Sequence, residues 1–165
     1  MHNLKYLDDD DDDECDSGME LRVFASLEVL ILDLLPNLEG LEKVERGDVF
    51  SCLSILKIAF FPKLELSCLP SLKDLDVSGP NIVLLRSISS LCGLTKLTLH
   101  GGNRVTSFPE GMFRNLTCLQ TLYVTDFPDL KVLSNEPLDL ALEDLYTCNE
   151  LESLLEKMRK GMQSL

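Results

Sequence analysis

Apolar residues recur in this chain as a short motif rather than as long runs. The clearest copy is LQTLYVTDFPDLKVL, residues 119–133, where Leu119, Leu122 and Val124 are followed by Phe127, Pro128 and Leu130. Written as a line it is L-x-x-L-x-L/V-x-x-F-P-x-L. The same line stands at Leu27 (LEVLILDLLPNL) and Leu53 (LSILKIAFFPKL), with looser copies at Leu72 (LKDLDVSGPNI) and Leu94 (LTKLTLHGGNRV). The last two apolar positions of L-x-x-L-x-L alternate with period two, the spacing of a strand with one face inward. Each copy therefore predicts a short strand whose aligned apolar side chains enter a core. Turn residues follow each strand: Pro36, Pro62, Pro80, Gly101-Gly102 and Pro128. A later apolar residue (Leu38, Leu64, Ile82, Val105 or Leu130) is expected to turn back inward.

Units starting at Leu27, Leu53, Leu72, Leu94, Leu119 and Leu142 lie 19 to 26 residues apart, the period of a leucine-rich repeat. The predicted architecture is an α/β leucine-rich-repeat solenoid, a curved horseshoe segment. Its concave side is a parallel sheet of about six short strands stacked ~4.8 Å apart, and its convex side is irregular or short-helical. Neighbouring units share one core, so no unit should fold alone. The short interval after Leu53 predicts a tight turn through residues 66–71. SFPEGMFRNL, residues 107–116, reads as a turn followed by about one helical turn. The last unit departs from the pattern, with Thr147 where Leu or Val belongs. A weak strand near 143–146 is expected there. A helix over roughly 149–161 should follow, ended by Gly161, because Leu151, Leu154, Leu155, Met158 and Met162 fall at helical spacing. That stripe reads as core packing rather than as a groove for a partner helix. Residues 1–7, with Leu4 and Leu7 at repeat spacing, read as the strand of a partial first repeat, residues 8–19 as an acidic disordered loop, and residues 20–165 as the repeat domain.

Charge narrows the partners. The formal net charge is −13, from 15 basic and 28 acidic residues. Seven of the acids form the run at residues 8–14, which is expected to be solvated rather than packed. Calcium loops alternate their ligands with other residues and include a turn glycine, so this run does not fit one. An acidic chain repels phosphate backbones and anionic surfaces, so neither nucleic acid nor membrane is the expected partner. The six cysteines show no C-x-x-C and no Cys/His clustering, which gives a zinc site nothing to start from. Their spacing follows the repeat. They are expected to be reduced thiols of a cytoplasmic protein, several of them in or near the core. Residues 1–4 do not begin a secretory leader, and no apolar stretch approaches the ~20 residues that span a bilayer.

Candidate chemistry is sparse. His100 follows Leu99 at an outward position, and repeat stacking should place Ser78, Thr125 and Asp126 near it. A lone exposed histidine grouped by stacking alone does not make a catalytic site. Gly101-Gly102-Asn103-Arg104 lacks the spacing of a phosphate-binding loop, so no nucleotide, cofactor or metal is expected. Asn115-Leu116-Thr117 is a glycosylation sequon, expected to go unused.

The informative surface is the concave sheet. Its central column is Ile31, Lys57, Asp76, Thr98, Tyr123 and Tyr146. The turn-side column is Asp33, Ala59, Ser78, His100, Thr125 and Cys148. The other flank is Val29, Ile55, Asp74, Lys96, Thr121 and Asp144. The face is apolar in its first two units, mixed in charge in the middle and tyrosine-rich at the end. Tyrosine and apolar anchors among charges are what protein interfaces use. The apolar beginning has a second reading, as a surface covered by another part of a longer chain.

These residues carry a resemblance. The lines LEVLILDLLPNLEGLEKVERG, CLPSLKDLDVSG, LLRSISSLCGLTKLTL, VTSFPEGMFRNLTCLQTLYVTDFPDLKVLSNEP and LALEDLYTCNELESL resemble the C-terminal repeat region of plant intracellular nucleotide-binding leucine-rich-repeat resistance proteins of the coiled-coil class. The resemblance covers nearly the whole chain, and SFPEGMFRNLT is its most specific part. It implies a module that senses pathogen effectors, directly or through a guarded host protein. It also implies packing on the nucleotide-binding domain and restraint of that domain. Three features depart from the family. No P-loop, other ATPase motif or coiled coil is present, Phe61 and Phe127 stand where several family units carry Cys, and the Leu142 unit is short. The chain thus reads as a detached piece of such a protein.

Overall fold

The computed structural model describes residues 5–7, 24–41, 49–102, 105–131, 133, 140 and 142–147. Every L-x-x-L-x-L copy forms a strand: β1 Val29–Asp33, β2 Ile55–Ala59, β3 Asp74–Ser78, β4 Lys96–His100, β5 Thr121–Thr125 and β6 Asp144–Thr147. The strands make one sheet in chain order, and every neighbouring pair is parallel. Register never slips: Leu30, Leu56, Leu75, Leu97, Leu122 and Leu145 form one row, and Leu32, Ile58, Val77, Leu99, Val124 and Thr147 the next. The four middle strands bury both rows completely, whereas β1 and β6 bury theirs only in part. A solenoid strand is enclosed only when it has a unit on either side.

One local design repeats along the chain. Before β1 to β5 the amide of the opening leucine donates three residues back, as from Leu53 to Phe50 O, Leu94 to Leu91 O and Leu119 to Leu116 O. At the strand entrance one carbonyl accepts two amides of the next unit: Ser54 and Ile55 donate to Glu28 O, and Gln120 and Thr121 to Thr95 O. At the exit the chain turns through the left-handed region at the residue directly after the strand. Leu34, Phe60, Gly79, Gly101 and Asp126 all have φ between 55° and 65°. Four of these amides donate to the last carbonyl of the following strand, Ala59 O, Ser78 O, His100 O and Thr125 O. The prolines expected to make this turn come just after it instead. Proline cannot adopt positive φ, so it follows the reversal rather than forming it.

The return paths are short. Only the third unit forms a helix among the described residues, α1 Ile82–Ser87, continued by a 3₁₀ turn at Ile88–Ser90. This places Ile82 in the exposed first turn, not in the core as its position in the repeat predicted; Leu84 and Leu85 are buried in its stead. Residues 107–116 form successive turns rather than a helical turn, with Met112 donating to Pro109 O, Arg114 to Gly111 O and Leu116 to Phe113 O. Phe108, Met112, Phe113 and Leu116 are nonetheless buried, and Phe108 meets Phe113 and Phe127 edge-on. The compact route through residues 66–71 turns only at Pro70–Ser71 and runs without regular structure before it.

Two further expectations change. Cys52, Cys68, Cys92 and Cys118 are free thiols, but all four are exposed. Cys52 and Cys118 stand just before an opening leucine and Cys92 two before one, on the outside of the corner that the leucine enters, and Cys68 lies on the return path before Leu72. Lys5–Leu7 is not a strand beside β1. It runs beside Glu39–Leu41, with Glu39 and Gly40 donating to Lys5 O, Leu7 donating to Leu41 O, and Lys5 Nζ 3.2 Å from Glu39 Oε1. Glu65 donates to Glu39 O in the same way one unit later. Residues 5–7 thus occupy the post-strand position of a unit. The acidic run, Cys15, Cys148 and the helix expected over 149–161 lie outside the described residues.

Candidate protein-binding face

Alternation along each strand sends the remaining side chains to the solvent face of the sheet. Register sets them in three columns. The flank column is Val29, Ile55, Asp74, Lys96, Thr121 and Asp144. The central one is Ile31, Lys57, Asp76, Thr98, Tyr123 and Tyr146, and the turn-side one is Asp33, Ala59, Ser78, His100 and Thr125. Seventeen of the eighteen residues placed in these columns from the sequence therefore share one face, Cys148 lying outside the described residues, though they are not equally available. Thr98 is 8% exposed and adds little surface.

Three groupings divide the face. At the β1–β2 end Val29, Ile31, Leu34 and Phe60 are 45%, 66%, 66% and 60% exposed. Leu34 and Phe60 belong to this apolar patch because of the left-handed turn, which throws the side chain outward beside the sheet. Sequence reading missed both, since each looks like one more core residue in an apolar run. In the middle, Lys96 Nζ donates to Asp74 Oδ2 at 3.1 Å across the flank column. His100 bridges the other two columns, with Nδ1 2.6 Å from Thr125 Oγ1 and Nε2 3.8 Å from Asp76 Oδ1. The carboxylate beside His100 is thus Asp76, reached diagonally, and not the Asp126 that linear stacking suggested. Lys57 and Asp76 are register partners, yet no ion pair joins them.

At the β5–β6 end, Tyr123 and Tyr146 stack in parallel, ring centroids 4.5 Å apart and planes 2° from coplanar. Tyr146 is half exposed. The carboxylate of Asp144 raises the Tyr146 hydroxyl above the usual tyrosine range, with smaller contributions from Tyr123 through its charge, from desolvation, and from a hydroxyl hydrogen bond to Tyr123.

Chemically, this face is a board of fixed side chains over a rigid ladder. The amides next to the His100 group are engaged in the backbone, Gly101 to Thr125 O and Gly102 to Asp126 O. No group of three metal-ligating residues occurs among the described residues, and no described helix is long and apolar enough to cross a membrane.

Two plant proteins from Solanum bulbocastanum, named as disease resistance proteins RGA1 and RGA4, match this chain at 37% identity over 110 and 118 residues, 67% and 71% of its length. The matches span only 11% and 12% of those much longer proteins. No family model matches the chain, and no solved structure matches it significantly. The flush parallel ladder and this shared sequence together place the chain among the leucine-rich-repeat segments of plant disease resistance proteins.

Proposed function

We propose that the chain is a non-catalytic protein-recognition module of plant innate immunity, working in the cytoplasm. It reads a pathogen effector or a guarded host protein through the solvent face of its sheet. The observation that carries this reading is the contrast between the two faces. Inward positions repeat almost without change, while outward ones run from isoleucine through charge pairs to stacked tyrosines. A protein interface uses such apolar and aromatic anchors set among charges. Catalysis has little support, because the His100 group lacks the free amide donors that stabilise a developing oxyanion.

The exposed apolar patch at Val29, Ile31, Leu34 and Phe60 favours a second reading. In it the segment packs on the nucleotide-binding domain of a resistance protein and restrains it. Affinity capture with the whole chain from infected plant extract separates the two. Recovery of an effector or host target supports sensing, and recovery of a nucleotide-binding domain supports restraint. The triple variant Ile31→Asp, Asp76→Lys, Tyr123→Ala should lose the captured protein in either case. Capture that survives it would move the binding surface off this face.

A further inference from the structure

We propose that the Tyr146 ring and the Asp144 carboxylate form a seat for an arginine side chain of a partner protein. This rests on the recognition reading and names the chemistry of one contact within it. Tyr146 presents a half-exposed ring whose orientation is fixed by the parallel stack on Tyr123. Asp144 lies two residues earlier on β6, on the same face, and acts on Tyr146 electrostatically. Among the described residues Asp144 pairs with no cation, whereas the nearest face lysine, Lys96, is already held by Asp74. An aromatic face next to an unpaired carboxylate suits a planar cation. The guanidinium lies flat on the ring and turns its N–H edge to the carboxylate. Lysine, a compact point charge, stacks less well and cannot make the paired donation. The chain's formal charge of −13 draws cationic partners toward it.

The test uses the full chain and three capped tripeptides, Gly-Arg-Gly, Gly-Lys-Gly and Gly-citrulline-Gly. Titration is followed by NMR through the ring protons of Tyr146 and of Tyr123 stacked on it, the latter serving as the reporter in both Tyr146 variants. With three tyrosines and no tryptophan, the aromatic spectrum can be assigned directly. The arginine peptide should shift those protons saturably and the citrulline peptide should not. Tyr146→Leu and Asp144→Asn should each weaken binding about fivefold, the ~1 kcal/mol of one exposed cation–π or charge contact. Tyr146→Phe keeps the ring and should retain binding. Asp144 and Tyr146 are both exposed, so these variants leave the core intact. Equal shifts from the lysine or citrulline peptide, or unchanged binding in Tyr146→Leu, would overturn the seat. Self-association abolished by Asp144→Asn, seen by sedimentation, would assign the seat to a second copy and overturn it too. A captured partner that Tyr146→Leu fails to release would remove the seat while leaving the recognition reading intact.

Discussion

The residue just after each strand shows how one backbone demand meets different side chains. All five described turns of this kind need positive φ, but only Gly79 and Gly101 suit it freely. Asp126 tolerates it, and Leu34 and Phe60 adopt it at about 1–2 kcal/mol each. Their side chains gain little burial in return, so this strain serves the surface and not the fold. Replacing Leu34 by Gly should raise the denaturant midpoint modestly, by up to about 1 kcal/mol in stability, while reducing partner capture. The Gly101-Gly102 pair separates two reasons for glycine. At Gly101 a Cβ would meet nothing within 4 Å, so the demand is purely conformational. At Gly102 a Cβ would run into the Phe127 ring, so the demand is space. Gly101→Ala should cost about 1 kcal/mol and Gly102→Ala about 1–3 kcal/mol or more, and only the second should be relieved by a simultaneous Phe127→Leu. Urea unfolding of the four variants checks these values.

Among elements, α1 depends on a single side chain. Asn81 Oδ1 accepts the amides of Val83 and Leu84 at 2.7 and 3.0 Å, while its Nδ2 donates to Phe61 O, one unit back, at 2.6 Å. It therefore caps the helix and ties two units together. Asn81→Ala should destabilise by about 1–2 kcal/mol, and Asn81→Asp, which keeps the cap and loses the donor, by less. Chemical unfolding of both variants measures the difference. The strands were legible because a two-residue alternation anchored by leucine has one structural meaning, and all six formed within a residue or two of their motifs. The return paths were not legible. Their conformation is decided by capping and by which apolar residue reaches the shared core, so Ile82 faced solvent, residues 107–116 made turns, and the cysteines pointed outward. Face membership followed from register alone. The Asp76–His100 diagonal, the burial of Thr98 and the outward Leu34 and Phe60 required the side chains themselves.

At the scale of the molecule, among the described strands cohesion passes only between adjacent units, since each bonds to its immediate neighbours and no others. Stability should therefore peak in the middle and fade outward. Leu97→Ala, at a fully buried middle position, should cost about 2–5 kcal/mol, and the same change at the partly buried Leu30 clearly less. Amide hydrogen exchange should give the slowest rates in β3, β4 and β5 and the fastest in β1 and β6. The unbroken register has a genetic corollary. Because consecutive units meet with no sideways offset, the surfaces that Leu72–Gly93 joins on either side are alike. An in-frame crossover could delete or duplicate that stretch without rewriting its neighbours. The board of outward residues would then grow or shrink by one strand at a time, one residue in each column, which would let a lineage rearrange that face in single recombination steps.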